Sequence, residues 1–222
     1  MIILEEVDVR FDDRPVLKDV NLQVADKERL VLLGSSGSGK TTVLRLIAGF
    51  VTPNRGKVMI DGQLASEEGK ILIPPHQREV SMVFQDLALW PHMNVVENIA
   101  FGLKIQGIPK REREQKIHDM LCMVGLENAA KKSIEQLSGG EKQRVALARS
   151  LVLSPKVLLM DEPLSSLDDA LNMHLRTQIV KLQEKLGFTL VYVTHNETEA
   201  KEVATKIVHM QDGKIVDSID EL

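Results

Sequence analysis

The stretch GSSGSGKTT, residues 34–42, has the residue types and the spacing of a loop that binds phosphate. It fits the pattern G-x-x-x-x-G-K-[ST] and lies between an apolar strand pattern and a helical pattern. Glycines allow backbone N–H groups to converge on a β-phosphate, the next helix offers its positive end, and Lys40 neutralises phosphate charge. Thr41 is expected to bind Mg²⁺ and Thr42 to lie against an α-phosphate. The candidate phosphate-binding residues are Gly34, Ser35, Ser36, Gly37, Ser38, Gly39, Lys40, Thr41 and Thr42.

Polar residues also end three other buried-strand patterns. Asp161 and Glu162 follow VLLM, His195 follows LVYVT, and Gln85 follows SMVF. Because ligands of open α/β sheets gather outside the carboxyl ends of the strands, these side chains are expected to share one site. Asp161 is placed to hold Mg²⁺, either directly or through water.

Glu162 is then free for a different task. A carboxylate beside a γ-phosphate can orient and deprotonate the attacking water, which typically contributes about 10²–10⁴ in rate. His195 is expected to contact the γ-phosphate, and Gln85 offers an amide oxygen to Mg²⁺ or to the water. Each residue also has a simpler alternative: a helix-start turn for the two acids, a helix cap for His195 and a surface amide for Gln85. The alternative for the glycine loop is a Gly/Ser-rich turn without a ligand.

A second glycine pair stands in LSGGEKQR, residues 137–144, where a helical pattern begins. The Ser138 hydroxyl, the N–H groups of Gly139 and Gly140 and the positive end of the helix form a site for an anion. This site has no phosphate-loop lysine and no carboxylate for a metal. It is therefore expected to bind phosphate without being able to hydrolyse it.

These residues need a sheet of buried strands to position them. The first thirty residues predict strands with turns, in which Val20, Leu22 and Val24 alternate with polar residues. The apolar strands RLVLLG, KVLLMDE and FTLVYVTH alternate with helical patterns, which predicts an α/β core whose parallel strands are buried on both faces. GKVMIDG and EVSMVFQ predict two more strands.

The remaining patterns are mostly helical. From about residue 86 to residue 154 the chain predicts an inserted helical subdomain, punctuated by proline and glycine. A long helix is predicted from about residue 169 to residue 186. The last predicted elements are two strands around Asp212 and Gly213, which is a typical hairpin turn.

Length and composition exclude several classes of protein. With 222 residues and 43% hydrophobic side chains, the chain can bury a sizeable core. A net charge of -4 gives no basic excess for nucleic acid, which is not an expected partner.

The single Cys122 cannot close an internal disulfide and no zinc-binding spacing is present, which fits a reducing cytoplasm. Glu5 and Glu6 argue against a signal peptide, and no apolar run approaches the roughly 18–20 residues that span a bilayer.

The segments GSSGSGKTT, VFQDL, LSGGEKQR, VLLMDEP, SSLD and VTH occur in the order and approximate spacing of ATP-binding cassette (ABC) proteins. Over essentially its whole length, the chain resembles the ATPase subunit of an ABC transporter. The resemblance implies a P-loop NTPase fold of class α/β, with a RecA-like core of mainly parallel sheet, an N-terminal antiparallel β subdomain and an inserted α-helical subdomain. Residues 1–222 then form a single domain, with the β subdomain and core at 1–85 and 155–222 and the helical subdomain with its signature motif at 86–154.

The resemblance also assigns roles and cofactors, which are ATP and Mg²⁺. Glu162, His195 and Gln85 are expected to be catalytic, and Thr41, Gln85 and Asp161 to hold the metal. Phe11 falls where the family stacks an aromatic ring on adenine, although it could instead pack inward from a strand. The remaining matches are the signature residues Ser138, Gly139 and Gly140 with the trailing acid Glu141, the Q-loop residue Gln85, the D-loop residues Ser165, Leu167 and Asp168, and the switch histidine His195.

In this family two cassettes face each other head to tail, so that each signature motif covers the γ-phosphate bound by the other chain. The same two patches on each subunit make both contacts. Hydrolysis removes the γ-phosphate that bridges the halves, and the dimer can open. A second copy of the chain is therefore the first expected partner.

The segment FQDLALWPHMNVVENIAFGL is similar to that of importer ATPases for sugars, polyamines, ferric iron and inorganic anions. In those proteins it receives a coupling helix of the membrane permease. Its apolar residues either form such a partner-binding groove or belong to the core of the helical subdomain. The expected partners are a permease and, through it, an external solute-binding protein, and the expected location is the cytoplasmic face of the inner membrane, as a peripheral subunit. The residues concerned are Leu87, Leu89, Trp90, Met93 and Val95.

Two features depart from that importer group. Many of its members continue into a C-terminal β-rich regulatory domain, whereas this sequence stops at Leu222, so regulation through such a domain is not expected unless the sequence has been trimmed from a longer chain. The group often has Asp-Gln after the switch histidine, where this chain has Asn196 and Glu197.

Two other functions compete with solute import. A non-transport ABC mechanoenzyme acting on DNA or ribosomes usually carries long coiled-coil insertions or two fused cassettes, and this sequence shows neither. A P-loop kinase leaves the LSGGE segment and the switch histidine without a purpose. The transported solute is not indicated, because specificity lies in the permease and the binding protein.

Overall fold

The computed structural model describes residues 1–165 and 169–220, which form eleven strands and six α-helices. The strands are β1 (Ile2–Phe11), β2 (Arg14–Val24), β3 (Arg29–Leu33), β4 (Arg55–Ile60), β5 (Gln63–Glu67), β6 (Lys70–Ile71), β7 (Val80–Val83), β8 (Val157–Asp161), β9 (Thr189–Thr194), β10 (Lys206–Gln211) and β11 (Lys214–Asp220). The helices are α1 (Lys40–Ala48), α2 (Val95–Ile105), α3 (Lys110–Val124), α4 (Gly139–Leu151), α5 (Asp169–Leu186) and α6 (Glu197–Val203).

The strands form two sheets. The larger has the order β11-β10-β3-β9-β8-β7, in which β10, β3, β9, β8 and β7 are parallel and β11 pairs antiparallel with β10. The smaller has the order β2-β1-β4-β5-β6 and is antiparallel throughout. The predicted α/β class, with a mainly parallel sheet and a separate N-terminal antiparallel sheet, is confirmed.

The central parallel strands are apolar on both faces because they contribute to two cores. In β3, Leu30 and Leu32 point into the core shared with α1 and the antiparallel sheet. Val31 and Leu33 point to the opposite face, into the core shared with α2, α3 and α4. The continuous apolar strand patterns therefore reflect burial on both faces, as the sequence predicts.

Helix α1 lies between the two sheets, since its buried face shares one core with strands of both. A buried arginine fixes the far end of this helix. The Arg78 guanidinium donates to the carbonyl oxygens of Leu46 and Ile47 in the last turn of α1, at 2.9 and 3.0 Å, and to Ser66 Oγ of β5 at 2.6 Å. The antiparallel sheet and the start of β7 are thereby tied to the helix that follows the glycine loop.

The predicted C-terminal hairpin is confirmed, with positive φ angles of 49° at Asp212 and 80° at Gly213. The short hairpin of β5 and β6 was not predicted, because its residues show no clear alternation. Three helices, α2, α3 and α4, lie between β7 and β8 in the chain. None of the described helices is both long enough and apolar enough to cross a bilayer.

Candidate functional site

The phosphate loop, residues 34–39, joins β3 to α1 and depends on two glycines. A Cβ atom at Gly34 would lie 2.2 Å from the carbonyl oxygen of Met210 in β10. Gly39 has a φ of 104°, and a Cβ there would lie 2.6 Å from Leu17 Cδ2 in β2. No side chain caps the start of α1, so the first N–H groups of this helix remain available to an anion.

Lys40 folds back into the loop that precedes it. Its ammonium nitrogen donates to the carbonyl oxygens of Gly34 at 2.7 Å and Ser35 at 2.8 Å. Burial lowers the pKa of Lys40, while the carboxylates of Glu162 and Asp161 act in the opposite direction. The buried hydroxyl of Ser38 has no hydrogen-bond partner among the described residues. The loop thus contains a cation and an orphaned donor, which fits a phosphate ligand.

Thr41 and Asp161 bring two oxygen atoms together beside the loop. The Thr41 hydroxyl donates to Asp161 Oδ1 at 2.9 Å. Burial raises the pKa of Asp161, and the hydrogen bond from Thr41 acts against that shift. A hydroxyl and a carboxylate are the hard oxygen ligands that Mg²⁺ prefers, so the donor set fits this ion. Within the described part of the chain, no group of three or more His, Cys, Asp or Glu side chains could hold a metal.

Glu162 faces His195 across the ends of β8 and β9. Glu162 Oε2 lies 3.2 Å from His195 Nδ1, a distance that allows a hydrogen bond in the tautomer that carries a proton on Nδ1. The backbone at Glu162 has a φ of 42°, which is uncommon outside glycine, and it is held by a hydrogen bond from Glu162 N–H to the Val193 carbonyl at 3.1 Å. A polar cavity of about 180 Å³ lies beside the pair and is also lined by Ser165, Thr194 and Asn196.

The sheet topology brings the predicted strand-end residues to one edge. The phosphate loop follows β3, His195 follows β9, Asp161 ends β8, and Gln85 stands two residues after β7. These four strands are consecutive neighbours in the order β3-β9-β8-β7 and run parallel. Their ends are also level, since Leu33 pairs with Thr194 and Asp161 with Val193. Gln85 is exposed at the outer end of this row.

The signature residues stand apart from this row, at the start of α4. Ser138 is the N-cap residue: its Oγ accepts from the Glu141 N–H at 3.2 Å, and Glu141 Oε2 accepts from the Ser138 N–H at 2.8 Å. Lys132 also pairs with Glu141, at 3.2 Å. Within the described residues, no hydrogen bond or ion pair joins Ser138, Gly139 or Gly140 to the phosphate loop. The structure therefore gives the two glycine-rich segments separate surroundings.

Other predicted residues lie at the margins of the site. Phe11 ends β1 and is 46% exposed, so inward packing from the strand does not account for it. Asn196 caps α6 by accepting from the Thr198 and Glu199 N–H groups at 2.8 and 3.1 Å. The D-loop residues Leu167 and Asp168 lie outside the described residues. Ser165 donates through Oγ to the Glu162 carbonyl at 3.1 Å.

Gln143 is a residue that the sequence reasoning missed. It is 3% exposed in α4, and its side-chain amide donates to the Pro163 carbonyl, one residue after Glu162. The signature helix is thus hydrogen-bonded to the turn that carries the predicted general base. The signal was present in LSGGEKQR, because Gln143 lies three residues before the apolar Ala146 and four before Leu147, on the buried face of the helix.

The segment after Gln85 divides between core and surface. Val95 is fully buried in α2, and Leu87 and Leu89 pack at the edge of the helical core. The Trp90 ring lies 4.4 Å from that of Phe101, measured between centroids. Trp90 and Phe101 also line an open groove of about 370 Å³, whose other walls are Ser81, Met82, Phe84, Ala88, Gly102, Arg149, Ser150 and Leu153.

Comparisons with known proteins agree on one family. A family model described as "ABC transporter" matches residues 17–165. The chain is 44% identical over 215 residues to the spermidine/putrescine import ATP-binding protein PotA of Clostridium novyi (strain NT), covering 97% of this chain and 60% of that protein. It is also 44% identical over 213 residues to the oligosaccharides import ATP-binding protein MsmX of Bacillus subtilis (strain 168), covering 96% of this chain and 57% of that protein. The chain therefore spans less than two thirds of the length of these relatives.

The fold is also similar to a solved cassette. The dimeric structure of a post-hydrolysis state of the ATP-binding cassette MJ0796, bound to ADP and Pi, matches with a TM-score of 0.86 at 30% sequence identity. The match covers 99% of this chain and 98% of that one. The similarity thus extends over the parallel sheet, the antiparallel sheet and the helices between β7 and β8.

Proposed function

The chain belongs to the ABC transporter family, and we propose that it is an ATP-hydrolysing subunit that drives solute import through a separate membrane permease. The observation that carries this proposal is the row of strand ends, where a phosphate loop, a carboxylate beside a hydroxyl and a glutamate–histidine pair lie side by side. Each component has a task in the hydrolysis of a nucleoside triphosphate.

The proposed reaction is attack of water on the γ-phosphorus of ATP. The water loses its proton to Glu162, a new P–O bond forms, and the bond to the β-phosphate oxygen breaks to give ADP and phosphate. His195 positions the Glu162 carboxylate through Nδ1 and directs its other ring nitrogen at the departing phosphate. Phe11 offers an exposed ring for the adenine base.

The phosphates are assigned to the loop and the start of α1. Lys40 exchanges its contacts with the Gly34 and Ser35 carbonyls for phosphate oxygens, and the Ser38 hydroxyl and the α1 N–H groups donate to the same ligand. Thr41, Asp161 and Gln85 are the proposed ligands of Mg²⁺. When bound, this ion neutralises charge on the phosphates.

The signature residues are assigned to the ATP of a second copy. The Glu141 carboxylate beside Ser138 is occupied by the Ser138 N–H and by Lys132, so we infer that Ser138, Gly139 and Gly140 complete a phosphate site but do not form one alone. A head-to-tail dimer places them over the phosphate loop of the partner, with the two contacts related by two-fold symmetry. The dimeric cassette described above supports this assembly.

The groove beside Trp90 is the proposed contact with the permease. It is mainly apolar and lies next to the segment that follows Gln85, so an inserted element can reach the ATP site through a few residues. The subunit is then peripheral, on the cytoplasmic face of the membrane, and an external binding protein acts through the permease. The two relatives import polyamines and oligosaccharides at equal identity to this chain, so the likeness favours no single solute. The same likeness does not favour the alternative of a mechanoenzyme acting on DNA or ribosomes.

Mixing two inactive variants tests the composite site. Lys40→Ala damages the phosphate loop, and Ser138→Asp places a negative charge against the γ-phosphate of the partner. Each variant alone is expected to hydrolyse ATP very slowly. In an equimolar mixture, half of the dimers are mixed and each has one complete site, so activity should return to about a quarter of the wild-type rate. Phosphate release measures this rate.

Mixing Lys40→Ala with a Lys40→Ala/Ser138→Asp double variant leaves no complete site, so no activity should return. If the Lys40→Ala and Ser138→Asp mixture were as inactive as its components at protein concentrations where dimers are observed, the composite site would be wrong.

A further inference from the structure

The turn that follows Gln85 has a strained backbone. Leu87 and Ala88 have φ angles of 60° and 44°, in the left-handed region that residues with a Cβ atom seldom adopt. Two such residues in succession need support from their surroundings. Among the described residues, the turn itself supplies two short-range hydrogen bonds, from the Leu87 N–H to the Phe84 carbonyl at 2.9 Å and from the Ala88 N–H to Asp86 Oδ1 at 3.2 Å.

Arg149, in the third turn of the signature helix α4, supplies the support. Its NH1 group donates to the Ala88 carbonyl at 2.6 Å, and its NH2 group donates to the Leu87 carbonyl at 2.7 Å. The guanidinium also lies 4.8 Å from the centre of the Trp90 ring. One planar side chain therefore engages both strained peptides and the aromatic ring that follows them.

The second half of the turn is held by another helix. Asn98 of α2 is fully buried, accepts from the Trp90 N–H at 3.0 Å and donates to the Trp90 carbonyl at 3.1 Å. Both anchors thus belong to helices that lie between β7 and β8 in the chain. The turn starts from the parallel sheet, yet its shape is fixed mainly by the helices.

We propose that Arg149 is a positioning residue, which makes Gln85 and the Trp90 groove follow the movement of the signature helix when ATP binds. The inference rests on the function proposed above, since that function gives Gln85 and Ser138 their ligands. Arg149 touches neither nucleotide nor metal in this scheme. It transmits the position of α4 to the turn by holding the Leu87 and Ala88 carbonyls, and Gln85 moves with the turn.

The variant Arg149→Met tests this role in the full chain. It keeps a long apolar stem but removes both donors and the cation beside the indole. The kcat for ATP hydrolysis is expected to fall on the order of tenfold because Gln85 is misplaced, while the KM for ATP changes less than about twofold because the phosphate loop is intact.

Trp90 is the only tryptophan, so its fluorescence reports the turn directly. Acrylamide quenching should change on Mg-ATP binding in the wild type and should not change in the variant.

Two further variants separate positioning from general stability. Arg113→Met is a matched control, because Arg113 of α3 is also half-buried and donates to one carbonyl, that of Ile108 at 3.1 Å, away from the turn. It should leave kcat and the Trp90 response unchanged. Arg149→Lys keeps a cation near the indole but has a single nitrogen, which cannot offer a parallel pair of donors. It should reduce the ATP-dependent change in quenching by at least about half.

A glycine at position 88 gives the sharpest outcome. Ala88→Gly makes the left-handed conformation accessible without support, so it should raise the kcat of Arg149→Met at least about threefold while changing the wild type little. The inference would be overturned if the effects of Ala88→Gly and Arg149→Met on kcat were simply additive in the double variant. It would also be overturned if Arg149→Met showed a normal ATP-dependent Trp90 response. If the wild type bound no ATP, the proposed function would fail instead, and the Trp90 emission of the nucleotide-free variants would still test whether Arg149 holds the turn.

Discussion

Two helices of this protein begin with glycine-rich segments suited to anions, and the structure treats them differently. Helix α1 starts after Gly39 without a side-chain cap, and the Lys40 ammonium donates to the Gly34 carbonyl of the preceding loop. Helix α4 starts after Ser138 with a complete capping box, in which Ser138 and Glu141 satisfy each other's N–H groups. One segment is prepared for a ligand, and the other is stable by itself.

The difference between the two helix starts fits the proposed division of one site between two copies. The uncapped start of α1 leaves its first N–H groups available to a ligand, and Asp161 at a neighbouring strand end contacts the first turn through Thr41. The capped start of α4 keeps only the Gly139 and Gly140 N–H groups and the hydroxyl hydrogen of Ser138 for an outside anion. Under the proposed function, this capped helix start contacts the γ-phosphate bound by a second copy.

The largest expected effect concerns the site at the start of α1, to which Glu162 is assigned. Glu162→Gln removes the proposed general base, and ATP hydrolysis should fall by about 10²–10⁴. ATP binding should persist, so the variant should form a stable dimer with Mg-ATP, which light scattering can detect. Glu197→Gln changes an exposed glutamate two residues after His195 and is the matched control. Hydrolysis by Glu162→Gln at the normal rate would remove the general-base assignment.

A smaller effect is expected from the α4 side. Aspartate caps a helix about as well as serine does, so Ser138→Asp should leave the free energy of unfolding within about 0.5 kcal/mol of the wild type. Its carboxylate would replace a hydrogen bond to the γ-phosphate, of a kind worth about 1.5–3 kcal/mol, with repulsion. Hydrolysis should therefore fall at least about tenfold. Urea unfolding and phosphate release measure the two quantities.

Comparison with Ser138→Ala shows whether the loss of activity comes from the helix cap or from the phosphate contact. Ser138→Ala cannot cap and should cost about 1 kcal/mol of unfolding free energy. If Ser138→Asp were equally unstable, the loss of activity could not be assigned to the phosphate contact. The distinction between a ligand-dependent and a self-sufficient helix start would then fail.

The smallest effect concerns Glu141, which completes the capping box. Hydrogen bonds from the Ser138 N–H and from Lys132 lower the pKa of Glu141. A lowered pKa in the folded state means that the charged form adds stability above the ordinary glutamate pKa, and that this stability is lost as the pH falls through the lowered value. Glu141→Gln keeps an acceptor but loses the charge, so it should cost only a few tenths of a kcal/mol at neutral pH.

The pH dependence of the unfolding free energy tests whether the lowered pKa of Glu141 is the cause. The difference in unfolding free energy between wild type and Glu141→Gln should be constant from neutral pH down to mildly acidic pH and should close at lower pH. Glu127→Gln, at an exposed glutamate with no such partners among the described residues, should show no such change. A difference for Glu141→Gln that widened on acidification would contradict a lowered pKa at Glu141.

Local sequence patterns predict much of the fold. The apolar runs before Gly34, Asp161 and His195 predict parallel strands, and the strand ends predict a shared site, since parallel strands bring their carboxyl ends to one edge. The resemblance to ABC proteins, built on the same segments, is confirmed by the family match. The division of the chain at residues 86 and 154 and the roles of the site residues stay predictions.

What the sequence determined by itself is the chemistry available at each position and the periodicity of the elements, because both depend on residues close together in the chain. Tertiary structure alone decided which distant groups meet. The bond from Gln143 to the Pro163 carbonyl spans 20 residues, and those from Arg149 to the Leu87 and Ala88 carbonyls span about sixty. Backbone carbonyls carry no residue-specific signal, so a side chain that binds them leaves no matching partner in the sequence.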